Sequence, residues 1–251
     1  MRFKDKVVIV TGSARGIGQA IALGFGKEGA RVVIADIRED LGMLTAEKVT
    51  ASGGKGLYIY CDVSKKADVD AMVNRTLEVF GTIDVLVNDA GICPFHDFLT
   101  MPEELWDQVL AVNLKGNFLC SQAVAKVMVE KGVRGRIISV GSISSMVGGA
   151  QQAHYCASKA GINMLIASMA VSLGQYGITC NAVLPGPIAT DINRDDLTPD
   201  KREYFRQRTP IKGIGDPEDV VGPVLFFASD DGAYCTGARL VVDGGIVVNF
   251  Q

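Results

Sequence analysis

Three side chains near the middle of the sequence have the types and spacing needed to exchange a proton with a substrate oxygen. Tyr155 and Lys159 stand four residues apart in a segment with helical periodicity, and Ser142 ends an apolar run thirteen residues before the tyrosine. Residues four apart share a helix face, so the phenol and the ammonium are expected to project together. A free phenol titrates at about pH 10, and a nearby ammonium lowers that pKa. The spacing predicts acid–base chemistry by Tyr155, with the Ser142 hydroxyl placed to hydrogen-bond the reacting oxygen.

A glycine-rich turn near the amino terminus has the composition of a phosphate-binding loop. It follows the first strand-like run and opens the first helical segment, where backbone N–H groups can meet a pyrophosphate. Asp36 ends the next strand, and its carboxylate can bind both ribose hydroxyls of an adenosine while repelling a 2′-phosphate. Arg15 and Arg38 oppose that preference because either can pair with such a phosphate. We therefore expect a nicotinamide cofactor, with NAD preferred and NADP possible. The loop residues predicted to bind it are Gly12, Ser13, Arg15, Gly16, Ile17 and Gly18.

Short apolar runs alternate with helical segments along the chain. The predicted strands are Val7–Val10, Val32–Ala35, Leu57–Cys61, Val85–Val87, Ile137–Val140, Thr179–Leu184 and Leu240–Val242. The clearest predicted helices are Gly16–Gly29, Glu39–Ser52, Lys66–Phe80, Trp106–Lys131 and His154–Tyr176. Strands that are apolar throughout are typical of a parallel sheet covered on both faces. The pattern predicts an α/β fold, a Rossmann-type doubly wound parallel sheet of about seven strands with helices on both faces.

The chain is expected to form one domain over residues 1–251, because no linker or repeat interrupts the pattern. The charged stretch Ile188–Gly213 lacks a strand, and we interpret it as a small helical lid over a site. Hydrophobic residues make up 48% and charged residues 21% of the chain, and the net charge is −3, as in a globular protein. We expect no nucleic-acid partner because lysines and arginines do not cluster, and no metal because the cysteines lack ligand spacing.

No apolar run reaches the roughly 18 residues that span a bilayer, so we expect no membrane partner. The amino terminus also lacks the features of a signal peptide. The six cysteines are therefore expected to be reduced thiols in a cytoplasmic protein.

Over its whole length the chain resembles the short-chain dehydrogenase/reductase family. The matching residues are the loop Thr11–Gly18 with Asp62, Asn88, Asp89, Ala90, Gly91, Asn113, Ser142, Tyr155, Lys159, Pro185, Gly186, Thr190, Asp243, Gly244 and Gly245. The resemblance implies that Tyr155 is the general acid–base and that Ser142 holds the reacting oxygen. It implies that Lys159 binds the nicotinamide ribose and depresses the tyrosine pKa. Asn113 would support a proton-relay water, and Thr190 would hold the nicotinamide carboxamide.

Together these observations predict hydride transfer between a secondary alcohol or hemiacetal and nicotinamide. The expected cofactor contacts beyond the first loop are Asp36, Ile37, Asp62, Val63, Asn88, Ala90, Gly91, Tyr155, Lys159, Pro185, Gly186, Ile188 and Thr190. Two positions depart from the family pattern. Asp89 stands where the family usually has a second asparagine, and a buried carboxylate there needs partners. Gly141 precedes Ser142 in place of the usual serine, which leaves one candidate hydroxyl.

The expected substrate contacts are Phe95, His96, Ser142, Ser144, Gln152 and Tyr155. Such a polar set suits a polyhydroxylated ligand, because each buried hydroxyl needs a partner. The stretches Gly91–His96 and Asp243–Gln251 resemble the sugar 1-dehydrogenase branch of the family, of the L-rhamnose type. That resemblance implies oxidation of an aldose at C1 to a lactone. His96 and His154 could instead be solvated loop residues.

A 3-oxoacyl-carrier-protein reductase, or a broad carbonyl reductase, is the alternative function. An acidic carrier protein would need a basic patch near the cleft. The cationic residues of the lid that could supply it are Arg194, Lys201, Arg202, Arg206 and Arg208. Acidic residues lie among them, so a solvated helix explains the pattern equally well. A third hypothesis is a catalytically silent protein that senses a cofactor, but Ser142, Tyr155 and Lys159 are all present.

The predicted helices Trp106–Lys131 and His154–Tyr176 carry apolar residues on more than one face. One core-facing stripe needs fewer, so burial against another subunit is expected. The family resemblance implies a homotetramer, with the tail Ile246–Phe250 placed in an interface or left as a loose terminus.

Overall fold

The computed structural model describes residues 1–190, 197–211 and 213–249. Its centre is a parallel sheet with the order β3-β2-β1-β4-β5-β6-β7. The strands are β1 Val7–Thr11, β2 Arg31–Asp36, β3 Lys55–Tyr60, β4 Val85–Asn88, β5 Arg136–Val140, β6 Thr179–Pro185 and β7 Arg239–Val242. The predicted seven-stranded doubly wound sheet is confirmed.

Helices cover both faces of this sheet. They are α1 Gly16–Lys27, α2 Glu39–Ala51, α3 Lys66–Phe80, α4 Glu103–Leu110, α5 Gly116–Glu130, α6 Ala153–Leu173, α7 Pro199–Arg208 and α8 Pro217–Ala228. Successive strand residues serve opposite cores: Val8 and Val10 pack beneath α1 and α8, whereas Ile9 packs beneath α3, α5 and α6. Every residue of β1 is buried, which explains why its sequence is apolar throughout and does not alternate.

The strand order reverses direction at β1 and β4, which lie side by side in the middle of the sheet. Thr11 at the end of β1 pairs in register with Asn88 at the end of β4. The connections from these two strands leave toward opposite sides, so a crevice opens between them at the carboxyl edge. The fold therefore brings the glycine-rich turn and the segment after β4 to one place.

Two helices differ from the prediction. The single helix expected over Trp106–Lys131 begins earlier, at Glu103, and is interrupted by a π-helical segment, Ala111–Lys115. Hydrophobic periodicity does not reveal such a segment, because the extra residue of a π-helical turn only shifts the position at which the apolar residues recur. Helix α8 was not predicted, since Gly222 and Pro223 lower its helix propensity.

The segment Ala153–Tyr176 is long and apolar enough to cross a membrane by length and composition, contrary to the sequence-based expectation. The core helix of an α/β protein passes the same test. Here the inner face of α6 packs on β6, with Ile162 and Ile166 in the core beneath it. The sheet thus accounts for the apolar residues on the inner face of this helix, whereas Met164 and Val171 on its outer face stay exposed.

The lid predicted over residues 188–213 contains α7, and its residues 191–196 and 212 lie outside the described residues. Ile188 forms a parallel bridge with Gly215 and is buried, which fixes the start of this segment to the body of the fold. Arg194 of the predicted basic patch, Phe250 of the tail and Gln251 also fall outside the described part of the chain.

The core beneath α1 is expected to contribute strongly to stability through Phe25. Its ring is fully buried and meets Phe3 edge to face, with ring centroids 4.8 Å apart. Phe25→Ala should lower the free energy of unfolding by about 3–5 kcal/mol, through lost burial and the cavity left behind. Chemical denaturation would measure this. The control Phe98→Ala removes a ring that is 72% exposed, and it should cost far less. Equal decreases in the free energy of unfolding of the two variants would contradict the placement of Phe25 in the core.

Candidate active site

A cleft of about 830 Å³ opens at the carboxyl edge of the sheet, between the ends of β1 and β4. Most of the residues predicted to bind cofactor or substrate line it. These are Gly12, Arg15, Gly16, Ile17, Asp36, Ile37, Asp62, Val63, Ala90, Gly91, Ser142, Tyr155, Lys159, Pro185, Gly186, Ile188 and Thr190. A volume of this size suits a dinucleotide together with a small substrate better than a small substrate alone.

The glycine-rich turn approaches the segment after β4 so closely that a side chain would not fit. Gly12 has φ +68°, and a Cβ built on it would lie 2.6 Å from the Ala90 Cα. Gly16 also has a left-handed backbone, with φ +61°. A Cβ on Gly16 would lie 3.7 Å from the methyl group of Thr190, so the lid's first residues stand over the turn. The backbone of the turn is therefore open to a ligand in the cleft.

Asp36 fixes the turn and the start of α2 at once. One carboxylate oxygen accepts the Ala14 N–H at 3.0 Å, and the other accepts the Arg38 N–H at 3.0 Å. The carboxylate still lines the cleft beside Ile37 and Arg38. It is thus held in position to meet a ribose placed there.

Three of the predicted cofactor residues support the cleft from behind and do not line it. The Ser13 hydroxyl is buried and donates to the Val10 carbonyl at 2.7 Å. Gly18 lies under the turn, where a Cβ would come 2.5 Å from the Gly12 carbonyl oxygen. Asn88 is buried, and its Nδ2 donates to the Ser121 hydroxyl at 3.0 Å.

Ser142, Tyr155 and Lys159 converge at the inner end of the cleft. The Ser142 hydroxyl lies close enough to the Tyr155 phenol to lower its pKa, and both side chains line the cleft. The Lys159 ammonium lies 5.4 Å from the centre of the tyrosine ring, and its Nζ donates to the Val140 carbonyl at 2.9 Å. The i, i+4 spacing on α6 thus brings the two side chains together, as the sequence indicated.

The electrostatics of this group differ from the sequence-based expectation. Burial raises the pKa of the Tyr155 phenol, while the Ser142 hydrogen bond lowers it, and burial is the larger effect. Burial also lowers the pKa of Lys159, against the opposing charge of Asp89. The pKa of Tyr155 is therefore raised, where a depression by Lys159 was expected, because desolvation disfavours charge on both groups.

Asn113 lies in the π-helical segment and is almost fully buried. Its Oδ1 accepts the Ile92 N–H at 2.9 Å, and its Nδ2 donates to the Ile92 carbonyl at 3.0 Å and to the Ser158 hydroxyl at 3.1 Å. The side chain thereby ties the segment after β4 to α6. The Asn113 amide therefore has a structural role through these hydrogen bonds. Its role in proton relay stays a prediction.

Several contacts join the segment after β4 to the start of α6. The His96 N–H donates to the Gln151 carbonyl at 3.0 Å, and the Gln152 amide lies 3.5 Å from the sulfur of Cys93, which lines the cleft. His154 is fully buried, contrary to the idea of a solvated loop residue, and its Nδ1 accepts the Tyr155 N–H at 2.8 Å. This side of the cleft is thus held rigidly to the catalytic helix.

The predicted substrate residues outside the cleft lining lie around its mouth. Phe95 and His96 are partly buried, and the Lys201 ammonium from α7 lies 5.3 Å from the Phe95 ring centre. The Ser144 N–H donates to the Ser142 hydroxyl at 3.0 Å. The contact between Phe95 and Lys201 brings α7 against the segment after β4, and a lid over the site stays a prediction.

Leu105 and Gln108 are among the lining residues that were not predicted from the sequence, as are Cys61, Ser64, Ala111, Val112 and Val140. Leu105 and Gln108 from α4 face the cleft opposite Cys93 and Pro94. In the sequence, only their place in a helix could have indicated a role. The predicted helix began at Trp106, one residue after Leu105, so it left Leu105 out. A correct helix start would have placed both on one face, since they are three residues apart.

Asp89 lies on the floor of the cleft. Burial raises the pKa of its carboxyl to about 7, against the lowering effects of the Lys159 ammonium and the Gly18 N–H. Its own N–H donates to the Thr11 hydroxyl at 3.2 Å. The partners that the sequence analysis required for this carboxyl are thus the helix α1 backbone and Lys159.

Comparison with known proteins agrees with this geometry. A model of the family described as Enoyl-(Acyl carrier protein) reductase matches residues 12–247. The crystal structure of a short-chain type dehydrogenase/reductase from Mycobacterium marinum is 34% identical, with a TM-score of 0.93 over 97% of this chain and 96% of that one. The chain belongs to the short-chain dehydrogenase/reductase family. It is an oxidoreductase that uses a nicotinamide cofactor.

Two curated relatives are similar over nearly their whole length. An L-rhamnose 1-dehydrogenase (NAD(P)(+)) of Azotobacter vinelandii is 49% identical, over 98% of this chain and 98% of the relative. An L-rhamnose 1-dehydrogenase (NADP(+)) of Thermoplasma acidophilum is 41% identical, over 99% of each chain. The resemblance to the sugar 1-dehydrogenase branch that was noted from Gly91–His96 is thus confirmed.

The contacts of Asn113 predict a large structural effect of removing its amide. Asn113→Ala leaves the Ile92 N–H and carbonyl without their partner in a buried place, so the free energy of unfolding should fall by about 2–4 kcal/mol. Denaturant titration followed by circular dichroism would measure it. The exposed Asn74→Ala on α3 serves as the control and should change stability by less than about 0.5 kcal/mol. A similar decrease in the free energy of unfolding of both variants would contradict the structural role of Asn113.

Proposed function

We propose that the protein oxidises an aldose such as L-rhamnose at C1, giving a lactone, with NAD as preferred acceptor and NADP as possible acceptor. The observation that carries the chemistry is the meeting of Ser142, Tyr155 and Lys159 in a cleft that ends at the glycine-rich turn. The substrate class comes from the names of the two curated relatives. The predicted alternatives, a 3-oxoacyl-carrier-protein reductase or a broad carbonyl reductase, are outcomes of the test below.

The cleft fits the cofactor in residue type and in space. The open backbone of Gly12 and Gly16 offers N–H groups to the phosphates, and Asp36 offers its carboxylate to the adenosine ribose. Lys159 and Thr190 stand where the resemblance places the nicotinamide half. A bound NAD or NADP supplies the hydride acceptor.

Proton transfer falls to the chain's own residues. Ser142 donates a hydrogen bond to the oxygen at C1, which holds that oxygen beside the Tyr155 phenolic oxygen. Tyr155 in its ionised form takes the hydroxyl proton as the C1–H bond breaks and its electron pair leaves as hydride, so a C=O bond forms. Burial disfavours this phenolate, so Lys159 must supply the charge that stabilises it during turnover. One aldose and one oxidised cofactor give one lactone, one reduced cofactor and one proton.

The preference for NAD depends on the charge of Asp36. Its carboxylate is fixed by two backbone N–H groups and faces the place of the adenosine ribose, where a 2′-phosphate would be repelled. Arg15 and Arg38 line the same part of the cleft, which supports some use of NADP. The two relatives carry NAD(P)(+) and NADP(+) in their names, so both acceptors occur among similar proteins.

The lid supports a small substrate better than an acidic carrier protein. Arg206 is paired with Glu203 at 2.7 Å, and the Arg202 guanidinium donates to the Leu197 carbonyl. Lys201 lies over the Phe95 ring. These cations are engaged within the protein, so they offer a weak basic patch to a carrier.

We also propose a cytoplasmic homotetramer. An apolar hollow of about 480 Å³ lies between α5 and α6, and Phe118, Leu165 and Met169 line it. Met164 and Val171 on the same helix α6 are 66% and 85% exposed, as expected for residues that meet another subunit. The six cysteines, all within the described ranges, form no disulfide, which suits a reducing compartment.

A substrate panel tests the reaction. L-rhamnose, other aldoses and simple secondary alcohols are offered with NAD, and a short 3-oxoacyl thioester is offered with NADH, while absorbance at the NADH band is followed. We expect selective oxidation of an aldose. Tyr155→Phe should lower kcat by about 10²–10⁴-fold and keep cofactor binding. Tyr176→Phe changes an exposed phenol and should keep full activity. Turnover of the thioester alone, or full activity of Tyr155→Phe, would refute the proposal.

Asp36→Ala tests the cofactor preference. Loss of the carboxylate removes the repulsion toward a 2′-phosphate, so the ratio of kcat/KM for NADP to that for NAD should rise at least about tenfold. Steady-state kinetics with both cofactors would measure the ratio. Asp231→Ala removes an exposed carboxylate at the far edge of the sheet and should leave it unchanged. An unaltered ratio in Asp36→Ala would mean that Arg15 and Arg38 set the preference.

A further inference from the structure

The Asp89 carboxyl stands at the amino end of helix α1, on the floor of the cleft. Its Oδ2 lies so close to Gly18 that a Cβ there would be 2.7 Å away, and the Gly18 N–H points to the carboxyl. The first N–H groups of a helix lack partners within it, so this carboxyl takes one of the donors of α1. Asp89 has no role in the proposed hydride and proton transfer.

The same helix end is where the cofactor phosphates are expected. Gly12, Arg15 and Gly16 line the same cleft as Asp89, and Gly12 passes close to the Asp89–Ala90 backbone. The partial positive charge at a helix amino end attracts one anion strongly, and a second anion beside it is repelled by the first. An ionised Asp89 therefore opposes a dinucleotide phosphate at this place.

Protonation of Asp89 removes the repulsion between its carboxylate and a phosphate, and the carboxyl group keeps its contacts. A neutral carboxyl keeps an oxygen that can accept the Gly18 N–H, and it gains an O–H donor. Burial also favours the neutral form, because it raises the carboxyl's pKa to about 7. The proton can thus be taken up or lost within the ordinary range of pH.

The charged groups around Asp89 come from two other elements. Lys159 on α6 favours the carboxylate, whereas Asp36 at the end of β2 opposes it. Tyr155 on α6 also senses the carboxylate, which raises the pKa of its phenol. Thr11 at the end of β1 contributes a hydroxyl that accepts the Asp89 N–H and no charge.

We propose that Asp89 admits the dinucleotide in its protonated form, so that cofactor binding is coupled to proton uptake at this carboxyl. Asp89 is then a binding residue that makes cofactor affinity fall as the pH rises. The inference rests on the cleft's being the dinucleotide site.

The first experiment measures the Kd of NAD from pH 6 to pH 9 by isothermal calorimetry, without substrate. NAD is chosen because it lacks a 2′-phosphate that titrates in this range. If the carboxylate form is excluded, the wild-type Kd should rise about fiftyfold between pH 7 and pH 9. Asp89→Asn keeps one acceptor and one donor without a titrating proton, so its Kd should change by less than about threefold. Asp231→Asn, an exposed carboxyl on the opposite edge, should follow the wild type.

The second experiment uses the wild-type protein alone and does not depend on how the variant folds. Calorimetry in two buffers of different ionisation enthalpy gives the number of protons taken up per NAD. We expect nearly none at pH 6, about half a proton at pH 7 and about 0.9 at pH 8. Equal pH slopes in wild type and Asp89→Asn, or no uptake at pH 8, would overturn the proposal. A wild-type protein that binds no NAD at any pH would instead refute the dinucleotide site itself.

Discussion

A parallel sheet that is buried on both faces leaves its strand ends as the place for polar side chains. All of β1 and the middle of β2 lie in the core, so the polar groups of the cleft follow the strand ends at Thr11, Asp36, Asn88 and Val140. The close passage of Gly12 over Ala90 then brings the glycine-rich turn against the segment after β4, and both line the cleft. Everything that binds or reacts is arranged around that contact.

Burial also decides the electrostatics of the site. Tyr155, Lys159 and Asp89 each lose water at the cleft floor, and for each of them desolvation is the largest influence on the pKa. The charge of Asp89 raises the pKa of both Tyr155 and Lys159, so the protonation of these groups is linked through this carboxyl. Acid–base chemistry at this site is a property of the group as a whole.

Local pattern predicted the sheet, its strand positions and most of the cleft lining, because apolar runs and strand ends are visible in the sequence. The placement of Tyr155 with Lys159 followed from helix spacing alone. The pattern could not reveal that burial would raise the pKa of the Tyr155 phenol, since desolvation depends on distant segments that pack around it. It left open whether His154, at the start of a predicted helix, was solvated, whereas the structure buries this side chain fully.

The π-helical segment Ala111–Lys115 has a consequence for how the chain can change in length. Each residue of a helix turns the chain by about 100°. The wider turn therefore lets α4 present Leu105 to the cleft while α5 still presents Leu119 to the core. Deleting a single residue here would rotate one of these faces away from its partner. The π-helical segment thus sets the rotation of α4 relative to α5 about the helix axis. We therefore expect this stretch to tolerate insertions and deletions less well than a surface loop.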